Sequence, residues 1–424
     1  MKNFIKGVMA ISLSMLAVSS LSAQGLKVAP LSDRYQLEAL GMSANHRYVT
    51  GLNIASYRAF VWNTEDDTII ENEGDYANCD FRHVTDDGRA FGIIGLDDMV
   101  TTNAAWLDPD GKVNILDEDM SACYDVTPDG KIAVGCLLDI DMWWPTACVW
   151  NDGVRTILPC PSFFECGIDN DGANAQFVSA DGKVIAGYLL DNHSSRPAII
   201  WRLQDDGTYA YEVISEKYWE LNDGEGKPYR EFQCLGLSQD GKWLCVAVQE
   251  EGATGFSRSE KVARLNLETN ELEVANYPET SFYDGDSSYP SGISNDGTVV
   301  GTIVDEVEFR RGFYWRSGSS DAENLADAYP QYEELAHYDG FMHSVIGISA
   351  DARYIVGYGL PVTIKNGQAD YDFVSYLLDT GVASSINNIR APQVKNLRRY
   401  NLYGQPVGVD ARGLIIEGNK LVIK

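Results

Sequence analysis

One short pattern of hydrophobic and polar positions recurs seven times along the chain. A hydrophobic residue is followed by Ser or Thr, by any residue, by Asp or Asn, and in five of the seven copies by Gly. The copies begin at Met42, Val84, Val126, Val178, Leu237, Ile293 and Ile348, at intervals of 42 to 59 residues. Such self-similarity is typical of a repeat architecture, in which each repeat forms one supersecondary unit.

The same predicted strands surround each copy of the pattern. A β-rich run that usually ends in Gly follows the turn, as in residues 183–187, and a loop of variable length comes next. An apolar run then closes on a tryptophan in five copies, namely Trp62, Trp106, Trp150, Trp201 and Trp315. A second turn, such as residues 151–153, leads to a last short strand. Because Asp-Gly and Asn-Gly between β-branched runs favour hairpins, each repeat is predicted to form four antiparallel strands.

Seven such sheets require a radial arrangement. A single four-stranded sheet cannot bury both faces, whereas blades packed around an axis bury them and hide most strand edges. The sequence therefore predicts an all-β fold, a seven-bladed β-propeller of four-stranded antiparallel blades over residues 35–383. We expect the tryptophans and the Asp-Gly turns to be structural and not a repeated ligand site. Residues 391–424 predict a small C-terminal β appendage of three strands.

The N-terminus is predicted to be a signal peptide, residues 1–23. Lys2 and Lys6 precede an apolar run, and small residues at 20–23 suit cleavage before Gln24. No later window contains eighteen consecutive apolar residues, so no membrane insertion is expected. We expect a protein that is secreted, periplasmic or on the cell surface.

The formal net charge of −29 narrows the range of partners. Such an acidic surface repels phosphate backbones and anionic headgroups, which disfavours nucleic acids and membranes. A carbohydrate or a protein remains as the expected partner, and we expect the chain to be a monomer.

The eight cysteines show no paired C-x-x-C spacing, so we expect buried thiols and no zinc site. If residues 238–241 form a tight hairpin, Cys234 and Cys245 would lie opposite each other on neighbouring strands. Cross-strand disulfides in regular ladders are commonly strained, and we therefore expect thiols at this pair too.

Candidate binding residues occupy one class of loop. In a four-stranded antiparallel blade, the turns after the first and third strands lie on one face of the disc. The loops after the second strand and the links between blades lie on the other face, and these contain most of the length variation. Aromatic residues in polar loops can stack on flat ligands such as sugars, or they can pack beneath their own loops. The candidates are Trp143, Trp144, His193, Arg196, Trp219, Tyr283 and Tyr338.

Signatures of catalysis are weak. The sequence contains no His-Glu-x-x-His, no Gly-x-Ser-x-Gly and no phosphate-binding Gly loop, so we predict no catalytic residue, metal ligand or cofactor. The favoured function is non-catalytic recognition on the face of long loops. The alternative is a glycan-cleaving hydrolase or lyase that uses a pair of acidic residues on the same face.

Two parts of the chain resemble known families. Residues 178–187 with 197–201 resemble the extracellular HAF-type repeat, and residues 127–131 resemble the turns of TolB-type propellers. These resemblances imply a propeller, often in an exported protein, and they imply no chemistry. Residues 399–424 resemble the C-terminal tails of exported Bacteroidetes proteins, including sorting-domain tails, although a purely structural appendage is an equal interpretation.

Overall fold

The computed structural model describes most of the chain. The described residues are 25–32, 34–76, 78–95, 101–138, 145–161, 170–191, 197–214, 229–250, 260–276, 287–304, 310–332, 344–359, 362–365, 368–371, 373–381, 399–401, 406–407, 414–417 and 420–423.

Seven four-stranded antiparallel sheets form the blades of a propeller. Blade 1 contains β2 (Leu37–Met42), β3 (Tyr48–Asn53), β4 (Arg58–Asn63) and β5 (Ile69–Glu71). Blade 2 contains β6 (Asn78–Val84), β7 (Ala90–Gly95), β8 (Thr102–Leu107) and β9 (Val113–Ile115). Blade 3 contains β10 (Ser121–Val126), β11 (Ile132–Leu138), β12 (Pro145–Asn151) and β13 (Val154–Ile157).

The next three blades repeat this order. Blade 4 contains β14 (Asn170–Val178), β15 (Val184–Asp191), β16 (Ala198–Leu203) and β17 (Tyr209–Val213). Blade 5 contains β18 (Tyr229–Leu237), β19 (Trp243–Glu250), β20 (Glu260–Asn266) and β21 (Leu272–Val274). Blade 6 contains β22 (Ser287–Ile293), β23 (Val299–Val304), β24 (Arg310–Trp315) and β25 (Glu323–Asn324). First strands of neighbouring blades contact one another around the ring, which places them along a central channel. The prediction of a seven-bladed all-β propeller is confirmed.

Blade 7 joins the two ends of the propeller. Its inner strands are β26 (Ser344–Ile348), β27 (Tyr354–Gly359) and β30 (Val374–Asp379), and its outermost strand is β1 (Gly25–Val28). The register pairs Gly25 with Asp379 and Val28 with Tyr376. Hydrogen bonds between distant parts of the chain therefore close the ring. The repeat pattern begins after this strand and gave no indication of it.

Three smaller features complete the structure. A short helix, α1 (Leu325–Ala328), follows blade 6, and a hairpin of β28 (Val362–Lys365) and β29 (Gln368–Tyr371) lies within the sequence of blade 7. Residues 385–424 form a separate compact unit. Its sheet has four strands, not the three predicted, in the order β32-β31-β33-β34. These are β31 (Arg399–Asn401), β32 (Pro406–Val407), β33 (Leu414–Glu417) and β34 (Lys420–Ile423).

A β-bulge interrupts the first strand of every blade at the same place. In six blades a glycine on the second strand pairs with the residue just before the bulge. A Cβ atom at one of these, Gly135, would lie 1.9 Å from the carbonyl oxygen of Ala122. The glycine that usually ends the β-rich run is thus required by the close approach of the bulged strand.

The register of the blade 5 hairpin alters the predicted cysteine pair. Cys234 pairs with Val246, whereas Cys245 pairs with Gly236. The expectation that the two cysteines lie directly opposite each other was wrong, because the turn is wider than a tight hairpin and the first pair beside it is Leu237 with Leu244. No disulfide joins the seven cysteines that the structure describes, and six of them are buried. Cys166 lies outside the described residues.

Candidate functional site

We call the ends of the blades that carry the seven repeated turns the turn face. In every one of these turns the Ser or Thr hydroxyl donates to Oδ1 of the Asp or Asn two residues later. In blade 4, Ser179 Oγ lies 2.8 Å from Asp181 Oδ1 and accepts the N–H of Val184 at 3.0 Å. All seven hydroxyl-bearing residues are buried. These groups stabilise their own turns and are not free for a ligand.

Neighbouring turns are also joined to each other. The N–H of Asp86 donates to Pro128 O at 2.9 Å, and the N–H of Ala180 donates to Gln239 O at 2.7 Å. His46 stacks on Tyr354 at 3.7 Å between blades 1 and 7. The turn face is therefore held together across several blade boundaries.

The repeated tryptophans lie in the protein core. Four are at most 1% exposed, Trp62, Trp150, Trp201 and Trp315, and Trp106 is half-buried. Trp201 Nε1 donates to the carbonyl oxygen of Pro159 at 2.6 Å. Burial and internal hydrogen bonds agree with a structural role and leave no repeated tryptophan site for a ligand.

We call the opposite ends of the blades the loop face, formed by the loops after the second strands and by the links between blades. Three of the long loops are flanked at this face by the strand ends at residues 138 and 145, 191 and 198, and 304 and 310. The predicted contact residues themselves, Trp143, Trp144, His193, Arg196, Trp219, Tyr283 and Tyr338, lie outside the described residues. The acidic loops considered for the glycan-cleaving alternative, including residues 284–286, do so as well.

Among the described aromatic residues of the loop face, Tyr57 is the most exposed, and the sequence had not singled it out. Tyr57, between β3 and β4, is 75% exposed and has a φ of 56°. A left-handed backbone at a bulky residue is uncommon and costs free energy. Asn53, fully buried, anchors this loop by accepting the N–H of Gln36 and donating to Arg34 O and Glu71 Oε1. The fold thus holds an aromatic ring in solvent on the loop face.

The central channel contains a second group of residues missed by the sequence interpretation. The hydrophobic residue that begins each repeated pattern lines a cavity of about 160 Å³ near the turn face. The residue before it directly follows the bulge. This position is glycine in blades 1, 5, 6 and 7, but His83, Asp125 and Phe177 in blades 2, 3 and 4. The three residues that replace glycine at this position are visible in the sequence and could have indicated the channel site.

His83 and Asp125 form the polar part of this channel. His83 Nδ1 lies 2.8 Å from Asp125 Oδ1, and Asp125 Oδ2 accepts the N–H of Val178 at 2.8 Å. The carboxylate thereby joins blades 2, 3 and 4. Deeper in the channel, Arg82 pairs with Asp80 at 2.9 Å. Burial alone would lower the pKa of Arg82, but the hydrogen bond and charge of Asp80 outweigh it and raise that pKa.

Within the described part of the chain, no three His, Cys, Asp or Glu residues are grouped so that they could hold a metal ion. Across the same residues, no helix is both long and apolar enough to cross a membrane.

Comparisons with known proteins add only distant similarities to solved propellers. No family model matches the chain, and no curated protein matches it. Among solved structures, it is similar to the β-propeller domain of the Trilobed protease from Pyrococcus furiosus, with 11% identity over 85% of this chain and 99% of that chain and a TM-score of 0.48. It is also similar to TolB from Acinetobacter baumannii, with 10% identity over 77% of each chain and a TM-score of 0.41. Likeness at this level carries no inference about activity or partner.

Proposed function

We propose that this chain is an exported recognition module that binds a carbohydrate or a protein through its loop face. The observation that carries the proposal is the difference between the two faces. The turn face uses its repeated hydroxyl and carboxylate groups within its own turns, whereas the loop face holds the aromatic ring of Tyr57 in solvent.

Three sequence features support the same proposal. The long loops contain the predicted aromatic and charged residues, the net charge of −29 disfavours nucleic acids and anionic membranes, and residues 1–23 have the features of a signal peptide. In this proposal the mature chain begins at Gln24, directly before β1 (Gly25–Val28). N-terminal mass analysis of the exported protein tests that boundary.

A glycan array probed with the mature protein tests the function. We expect a defined subset of glycans to bind, and the double variant Trp143→Ala/Trp144→Ala to lose most of that binding. Lys183→Ala, an exposed residue paired with Asp181 on the turn face, is the matched control and should bind normally. Cleavage of a bound glycan would replace this proposal with the glycan-cleaving alternative.

A protein partner would give a different result. The array would then be silent, while the mature protein would retain a partner through purification, and hydrogen exchange should be slowed on the loop face of the complex. Silence on the array together with protection of the turn face alone would contradict the proposal.

A further inference from the structure

The channel cavity near the turn face has an apolar collar. The hydrophobic residues that begin the seven patterns surround it, and its volume is about 160 Å³. A buried apolar cavity of roughly 150 Å³ is large enough to hold one benzene ring. The size and lining therefore suit a single six-membered aromatic ring.

The ring of residues that directly follow the bulges is one-sided. Side chains from blades 2, 3 and 4 occupy it, and glycines occupy the rest. Two of those glycines are not required by steric contacts, since a Cβ at Gly236 or Gly347 would meet its nearest neighbour at 3.4 or 3.7 Å. Both glycines line the cavity.

His83 offers one unused polar atom to this space. Its Nδ1 is 2.8 Å from Asp125 Oδ1, and the same carboxylate accepts the N–H groups of Val126 at 2.7 Å and Val178 at 2.8 Å. Because two bare acceptors would repel at that distance, the shared proton lies on Nδ1. The residues that the structure describes form no hydrogen bond to Nε2, and 31% of the His83 side chain is exposed. In the neutral form of the imidazole, Nε2 is an acceptor at the wall of this cavity, whose lining includes Arg82 and Asp125 besides the aliphatic collar.

We propose that this cavity binds a phenol group, with the ring inside the aliphatic collar beside Phe177 and the hydroxyl donating to His83 Nε2. The phenol can be a free small molecule or the side chain of a tyrosine in a peptide, and both place the same atoms in the site. The cavity opens between the turns, at Ala44, Pro128, Ala180 and Gln239. This site is separate from the loop face, and it stands or fails independently of the proposed function.

The test is a titration of the mature protein with phenol and with toluene, which has the same shape and no hydroxyl. Calorimetry gives the affinities, and the imidazole resonances of His83 report the contact. Phenol should shift those resonances and bind about five- to tenfold more tightly than toluene, which is the effect of one hydrogen bond. N-acetyltyrosinamide distinguishes the source. Tighter binding of this amide than of phenol indicates a tyrosine side chain, and its exclusion while phenol binds indicates a free small molecule.

Two variants make the result specific. His83→Gln should reduce phenol affinity about five- to tenfold and leave toluene unchanged, whereas Gly347→Ala should weaken both ligands because it adds a methyl group to the cavity wall. His46→Asn, a histidine on the turn face outside the channel, is the control and should change neither. Melting temperatures check that each variant is folded, and Gly347→Ala keeps the test valid if His83→Gln unfolds. Equal affinity for phenol and toluene, or no shift of the His83 resonances, would overturn the proposal.

Discussion

The guanidinium carbon of Arg264 lies 4.1 Å from the ring centroid of Trp315, across the boundary between blades 5 and 6. Arg264 is 1% exposed, and its Nη1 donates to the carbonyl oxygens of Gly297 at 2.9 Å and Arg316 at 3.0 Å. Glu273 pairs with the same guanidinium. Blade 5 carries Leu265 at the register position that is tryptophan in four other blades. A buried, fully bonded arginine therefore joins this blade to the next one.

Arg264→Ala should lower the free energy of unfolding by about 2–4 kcal/mol, because it leaves the buried carbonyl group of Gly297 and that of Arg316 without this donor and removes the stacking on Trp315. Denaturant unfolding measures the change. Lys242→Ala is the control in the same blade, since its ion pair with Glu268 is half-exposed and is worth about 0–1 kcal/mol. Similar losses in the two variants would contradict the structural role of Arg264.

The tryptophan positions differ in burial, and their variants should differ accordingly. Trp201→Ala should cost about 3–5 kcal/mol, since the side chain is 0% exposed and leaves a cavity when removed. Trp106→Ala, at the half-buried copy, should cost less, about 1–2 kcal/mol. Thermal unfolding of the two proteins provides the comparison. A Trp201→Ala protein with the melting temperature of the wild type would show that the ring of Trp201 is not part of the core.

An added methyl group should lower the stability of the fold strongly at one glycine near the channel and only slightly at another. Gly135→Ala places a Cβ 1.9 Å from Ala122 O and should destabilise the fold by about 3 kcal/mol or more. Gly236→Ala meets Cys245 Cβ at 3.4 Å and should stay within about 1 kcal/mol of the wild type. Unfolding curves of the two variants test the bulge geometry. A Gly135→Ala protein as stable as the wild type would contradict that geometry.

Burial raises the pKa of the Cys79 thiol to about 11 and that of the Cys234 thiol to about 12. Since the thiolate is the reactive form, neither should be alkylated in the folded protein at about pH 8, whereas exposed Cys160 should react. Alkylation of the unfolded, unreduced protein should then label all eight cysteines. A mass that lacks labels at both Cys234 and Cys245 would demonstrate a disulfide and refute this expectation.

The parts of the fold that depend on local signals could be predicted from the sequence. The Ser179 hydroxyl, Asp181 and Gly182 form one turn through contacts within a few residues, and the seven copies of that turn give the number of blades. The closing strand Gly25–Val28 could not be predicted in this way, because it pairs with residues some 350 positions away.

The channel and the loop face also contain features that local sequence signals could not predict. The bulge that brings His83 to Asp125 is a property of strand pairing, and the hydropathy pattern does not record it. Tyr57 lies in a short loop without unusual composition, and its significance comes from a backbone angle. The long aromatic loops were located by topology, but the contact residues proposed there lie outside the described part of the chain.

The central claim, recognition through the loop face, is tested most directly by Tyr57→Gly on the same glycan array. Glycine relieves a left-handed backbone that costs a non-glycine residue about 1 kcal/mol, so the melting temperature should stay equal to that of the wild type or rise. Binding should fall about tenfold, because an exposed aromatic contact is lost. Wild-type binding by Tyr57→Gly and by Trp143→Ala/Trp144→Ala, with loss of binding in Lys183→Ala, would place recognition on the turn face and contradict the account.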